Sequence, residues 1–176
     1  MLRTLAGLDL PWGQVQVFQV DERVAPDGHP DRNAPLLDVL PIPSRNLVLM
    51  PVAARSLDAA IRRYARRLPE RLDVVHLGIG DDGHTASWPP GDPVIDSPEA
   101  VGLCGEFNGR VRVTLTPRSV NSARCRLVLA TGASKAAVIE RWLLRDRSLP
   151  IQRVQRTATV VVLDAAAASR LPEVPH

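Results

Sequence analysis

Asp82 and His84 stand two residues apart in the run L-G-I-G-D-D-G-H-T-A-S, residues 77–87. A carboxylate so placed on a glycine turn can orient an imidazole or raise its basicity, and such a histidine can act as a general base toward water. Three glycines in the run let the backbone turn sharply and approach a ligand. An ordinary turn with a capping aspartate and an exposed histidine would satisfy the same pattern, so the segment needs support from elsewhere in the chain. The run also matches G-x-G-x-x-G, the form of a dinucleotide-binding turn. Pro89, Pro90 and Pro93 forbid the long helix that such a turn must open.

Two further segments carry groups suited to an anion. In V-D-E-R-V-A-P-D-G-H-P-D-R-N, residues 20–33, strand alternation points Asp21 and Arg23 to one face, where an arginine fork can grip a phosphate. A surface salt-bridge cluster is the competing reading. In A-T-G-A-S-K-A-A, residues 130–137, a glycine turn precedes a helix start, which offers free N–H groups and a positive dipole end. Lys135 adds a point charge there. It is the only lysine in a chain whose other basic groups are arginines, which argues for a requirement rather than a solvated cap. Together these segments suit a phosphorylated small molecule and water-dependent or proton-transfer chemistry.

Other reactive types are dispersed. His29 falls in a loop, His76 inside an apolar strand and His176 at the terminus, so there is no zinc spacing. Ser87 lacks the G-x-S-x-G elbow of a serine hydrolase. Trp12, Trp88 and Trp142 read as packing residues, with Trp88 also placed to line the site beside His84. Cys104 and Cys125 give neither a disulfide framework nor a metal pattern, and read as small core residues of a reduced, cytoplasmic protein.

The elements that must position these groups alternate short β-rich and helical runs, which predicts a parallel α/β sheet. Strands are expected over residues 15–20, 72–77, 111–115, 126–131 and 159–163. Helices are expected over 35–40, over 56–68 with Ser56 as cap, from Pro117, and from Ser134 as cap through 144. Asp164 opens an alanine-rich terminal helix. Asp21, His84 and the turn at 132–135 would then all lie beyond the C-terminal ends of strands, where open α/β sheets bind ligands.

The length of 176 residues fits a single domain, 1–176, able to bury a core. Apolar stretches are broken by charges or prolines before reaching the roughly 18–20 residues of a membrane span, and the first residues lack the pattern of a secretion signal. The net charge of +3 is spread along helical segments and aromatics make up only 3%, which disfavours base-stacking nucleic-acid surfaces and favours a small anionic substrate.

Read in order, V-D-E-R, P-D-x-N (residues 30–33), L-G-I-G-D-D-G-H-T-A-S, R-V-T-L-T-P-x-x-x-N-x-A-R (residues 112–124) and T-G-A-x-K-A (residues 131–136) resemble the 6-phosphogluconolactonase family within the glucosamine-6-phosphate isomerase/6-phosphogluconolactonase superfamily. The resemblance runs from about Val15 to the L-D-A-A-A-A near the end. Related deaminases follow the histidine with a stretch containing Phe, Asn and Glu, whereas Thr85-Ala86-Ser87 stand here. The resemblance implies a Rossmann-like α/β fold and hydrolysis of 6-phosphogluconolactone to 6-phosphogluconate without metal or cofactor. It implies His84 as the base that activates water and Asp82 as its support. Arg23 and Lys135 would hold the phosphate, and Asp21, Asn33 and Gly83 would line the pocket.

Two departures stand out. Family members carry a helix, a strand and a Gly-Gly-Ser-Thr-type phosphate loop upstream of the strand at 15–20, and these have no counterpart here. A sheet edge would then need cover, for instance from a second copy of the chain. The family's Leu-Phe after T-A-S is Trp88-Pro89 here, which is expected to reshape the wall beside His84. Three readings follow: a lactonase, a non-catalytic descendant that binds a sugar phosphate or a protein, and an amino-sugar-phosphate isomerase or deaminase.

Overall fold

The computed structural model describes residues 1–172. In chain order the helices are α1 (Leu2–Ala6), α2 (Leu57–Ala65), α3 (Pro117–Ser122) and α4 (Ala136–Leu143). The strands are β1 (Val17–Phe18), β2 (Asp21–Arg23), β3 (Leu47–Val48), β4 (Val74–Leu77), β5 (Val101–Phe107), β6 (Arg110–Leu115), β7 (Cys125–Ala130) and β8 (Thr159–Leu163). They form a parallel pair β1-β3, a parallel sheet β4-β7-β8 and an antiparallel sheet β2-β6-β5. One apolar cluster joins all three sheets, with Val48, Leu77, Val101, Leu115 and Val128 among its members.

The α/β class with parallel strands is as the alternation predicts. The antiparallel sheet is not. The expected strand over 15–20 pairs with β3 only at Val17 and Phe18, and the chain then changes sheets. Gln19 marks the change. Its side chain accepts from Met50 N (2.6 Å) and donates to Glu22 (3.0 Å), and Tyr64 Oη donates to its carbonyl (2.7 Å). Asp21 and Arg23 therefore do not trail a parallel strand; they form a strand of their own, paired to Thr114 and Arg112.

Other elements follow local chemistry. Ser56 caps α2, accepting from Ala59 N at 3.4 Å, and Pro117 sits in the first turn of α3. The expected helix at 35–40 is a short 3-10 turn, Ala34–Leu37. Ser134 is not a cap: a 3-10 turn, Ala133–Lys135, leads into α4 with no side-chain cap. After Asp164 the chain makes turns instead of a helix, because the Asp164 carboxylate draws in Ala167 N (2.7 Å) and Gly132 N (3.0 Å). The register of β4 against β7, Leu77 opposite Val128, sets two C-terminal ends side by side. The glycine turn after β4 and the turn after β7 therefore emerge as neighbours.

Candidate functional site

The turn after β4 is built around the Asp82–His84 pair. Asp82 Oδ1 lies 2.5 Å from His84 Nδ1 and also accepts from His84 N at 3.0 Å. An ionised carboxylate only accepts, so Nδ1 carries the proton and Nε2 presents its lone pair outward. Burial pushes the Asp82 carboxyl up, but the hydrogen bonds from the His84 amide and ring outweigh it and hold the group below its usual range. Gly80 makes the geometry possible. A Cβ on it would lie 2.0 Å from His84 Nδ1 and 2.7 Å from Asp82 Oδ1. Gly83 has φ +82°, and its own missing Cβ leaves room for Leu149. The Gly83 N–H is engaged by Gly80 O (2.9 Å) and its carbonyl by Ile151 N (3.0 Å), so in this conformation it shapes the turn. The His84 ring packs edge-on to Phe107, 5.0 Å between centroids.

The T-A-S segment ties this turn to the antiparallel sheet. Ser87 Oγ donates to Asp21 Oδ2 (2.7 Å), Ser87 N donates to Thr114 Oγ1 (3.2 Å), and Trp88 Nε1 donates to Leu115 O (2.7 Å). Trp88 is fully buried, so it is a core residue and does not line the site. Burial raises the Asp21 pKa despite the Ser87 hydroxyl and the neighbouring Arg23 and Arg112 charges.

Asp21 and Arg23 share one face of β2, and Glu22 points to the other, where it is fully buried. Glu22 anchors the following loop by accepting from Asn33 N (2.7 Å), Ala34 N (2.9 Å) and Arg23 N (2.8 Å) and pairing with Arg32 (3.1 Å). That loop returns Asn33 to Arg23, whose Nη1 donates to Asn33 Oδ1 and to Asp31 O, both at 2.8 Å. Asn33 Nδ2 reaches Asp21 O at 3.3 Å. His29, on the same loop, lies 3.0 Å from Arg110 of β6 and 3.6 Å from Asp31 in a partly exposed cluster. Lys135, from the turn after β7, crosses to the glycine turn and pairs with Asp81 Oδ1 at 2.6 Å. The Gly132 N–H expected to face an anion is taken by Asp164.

All seven anticipated residues thus belong to one connected region, through Ser87–Asp21 on one side and Asp81–Lys135 on the other. Sequence reasoning missed Ser87 as a tether, Asp81 as the lysine's partner and Phe107 altogether, and gave Arg112 no role beyond its place in the R-V-T-L-T motif. The T-A-S string that carries the resemblance contains Ser87, but it does not show which distant group the hydroxyl meets. Phe107 lies on β5, a strand the pattern did not show.

A turn that presents a carboxylate-held imidazole next to basic side chains has the groups to transfer a proton beside an anion. The sequence profile of the family described as glucosamine-6-phosphate isomerases/6-phosphogluconolactonase matches residues 1–163, and the chain belongs to that family. It is 34% identical over 150 residues to the 6-phosphogluconolactonase of Synechocystis sp., covering 77% of this chain and 62% of the relative. It is 36% identical over 173 residues to the 6-phosphogluconolactonase of Rattus norvegicus, covering 88% of this chain and 67% of the relative. The crystal structure of 6-phosphogluconolactonase from Thermotoga maritima superposes with a TM-score of 0.83 at 27% identity, over 92% of this chain and 78% of that one. This chain thus spans about two thirds of the length of those two curated relatives. Among the described residues, no helix is long and apolar enough to cross a membrane.

Proposed function

We propose that this chain hydrolyses 6-phospho-D-glucono-1,5-lactone to 6-phosphogluconate, the lactonase step of the oxidative pentose phosphate pathway. The observation that carries the reading is the Asp82–His84 pair, in which Nδ1 is bound to carboxylate and Nε2 is left to accept a proton. His84 Nε2 takes a proton from water as the water oxygen bonds to the lactone carbonyl carbon. The carbonyl pair moves onto oxygen, giving a tetrahedral intermediate. When the carbonyl re-forms, the bond to the ring oxygen breaks and that oxygen takes the proton from the imidazolium. Asp82 stabilises the transient imidazolium and keeps the ring in the productive tautomer. A lactone is an activated ester, so one oriented base contributing about 10²–10⁴-fold is a sufficient catalyst.

Arg23, Lys135 and the Asn33 loop supply the phosphate seat in this reading, and Asp21 ties the seat to the catalytic turn through Ser87. The names of the relatives favour the lactone over an amino sugar phosphate. Two free cysteines fit a reduced, cytoplasmic setting. The test is turnover of fresh 6-phosphogluconolactone by the purified chain, with spontaneous hydrolysis subtracted and His84→Ala as control. Turnover lost in the control is the expected result. A folded chain with no turnover, or turnover unchanged in His84→Ala, overturns the assignment.

A further inference from the structure

Three arginines are buried: Arg32, Arg112 and Arg126. Two of them are engaged by oxygen acceptors of the protein. Arg126 donates to Asn121 O and Ala123 O (3.0 Å each), to Thr159 Oγ1 (3.0 Å) and to Thr157 O. Arg32 donates to Ala25 O and Asp27 (3.0 Å each) and pairs with Glu22. Arg112 is different. It keeps 6% of its surface, its Nε is sealed and orphaned, and no acceptor among the described residues takes a hydrogen bond from its guanidinium. Its close contact is the face of Phe107, 4.8 Å from the ring centroid, and the same ring makes the T-shaped contact with His84.

The strand register sets Arg112 opposite Arg23, so both side chains leave the sheet on the face that carries Asp21 and Thr114. Arg23 has its own sealed, unpartnered Nε. Burial and the Arg23 charge both push the Arg112 pKa down, and Asp21 offsets this only in part. A guanidinium buried this far, with its Nε sealed and no protein acceptor, is costly to the fold. What relieves the cost is an incoming anion. Two guanidinium forks on paired positions of one sheet face suit the oxygens of a phosphoryl group.

We infer that Arg112 binds the substrate's phosphate together with Arg23, and so sets the preference for a phosphorylated lactone over the free one. The inference rests on the lactonase reading above. The experiment compares kcat/KM for 6-phosphogluconolactone and for unphosphorylated glucono-1,5-lactone in the unaltered chain, Arg112→Met and Arg112→Lys. Arg112→Met lowers the value for the phosphorylated lactone by roughly 10–100-fold, as expected for a charge-assisted contact, and leaves the free lactone within about twofold. Arg112→Lys keeps the charge but not the fork, and falls between. Equal losses on both lactones, or loss confined to kcat, overturn the inference and point to a structural or oxyanion role. If Arg112→Met does not fold, Arg112→Lys decides by the same ratio. If the unaltered chain turns over neither lactone, the lactonase reading fails separately. Calorimetry with inorganic phosphate then decides: binding that is lost in Arg112→Lys keeps the anion site, and its absence in the unaltered chain removes it.

Discussion

Gly80→Ala separates the geometry of the base from the stability of the fold. The added Cβ would lie 2.0 Å from His84 Nδ1 and 2.1 Å from Cε1. Ordinary contact begins near 3.4 Å, so the ring must retreat by about 1.4 Å, and a misplacement of about 1 Å at a reacting group costs on the order of 100-fold. The backbone itself does not object, because Gly80 lies outside the left-handed region. His84 and Asp82 are both partly exposed and have solvent to move into. The expected outcome is a kcat/KM for 6-phosphogluconolactone reduced about 100-fold with Tm shifted by only a few degrees. Gly83→Ala is the contrasting variant. There φ is +82° and the Cβ meets Leu149 at 2.7 Å, so the main loss is stability, about 1–3 kcal/mol. Coupled turnover assays and thermal melts on both variants read the difference. Full activity in Gly80→Ala would refute the assignment of the base, since no other observation holds His84 so tightly to one position.

Three further outcomes follow from the charges. Asp21 has its pKa raised by burial, so its contribution to stability is complete below the usual carboxylate range and declines as pH rises through its folded value. Asp21→Asn should therefore be as stable as the unaltered chain or more so at pH 8, with the gap closing near pH 4, while activity falls; urea melts at the two pH values check it, and greater destabilisation at pH 8 contradicts it. Glu22 is opposite in sign: burial raises it, but hydrogen bonds from Asn33 N, Gln19, Arg23 N and Arg32 hold it below its ordinary value. Its stabilisation is present above the usual glutamate range and is lost as pH falls through the folded value. Glu22→Gln turns a donor toward those donors and should cost on the order of 3 kcal/mol at pH 7, roughly 10 °C in Tm, with a smaller gap in acid. Lys135→Ala should raise KM and weaken competition by 6-phosphogluconate more than it lowers kcat, and a pure kcat effect would remove Lys135 from the phosphate seat.

The chain's local contacts were legible in order. Asp82 and His84 are two residues apart, and a glycine-rich turn leaves such a pair little choice but to meet. Ser56 at the head of α2 and Pro117 in the first turn of α3 are likewise decided within a few residues. The C-terminal ends of β4 and β7 were placed correctly because apolar runs bounded by glycine read as buried strands whatever surrounds them. What the sequence could not decide are contacts that depend on register between distant segments. Ser87 meets Asp21 across 66 positions and Lys135 meets Asp81 across 54. The change of sheet at Gln19 depends on Met50 and Tyr64, far along the chain, satisfying its polar groups. β5 went unseen because its buried positions, Val101 and Cys104, keep no strict alternation and its register shifts before Phe107. Arg112 opens the R-V-T-L-T motif, but nothing in the sequence gives it a task of its own. Only packing shows that it is buried opposite Arg23 with its donors unfilled, because the lack of a partner is a property of every neighbour at once.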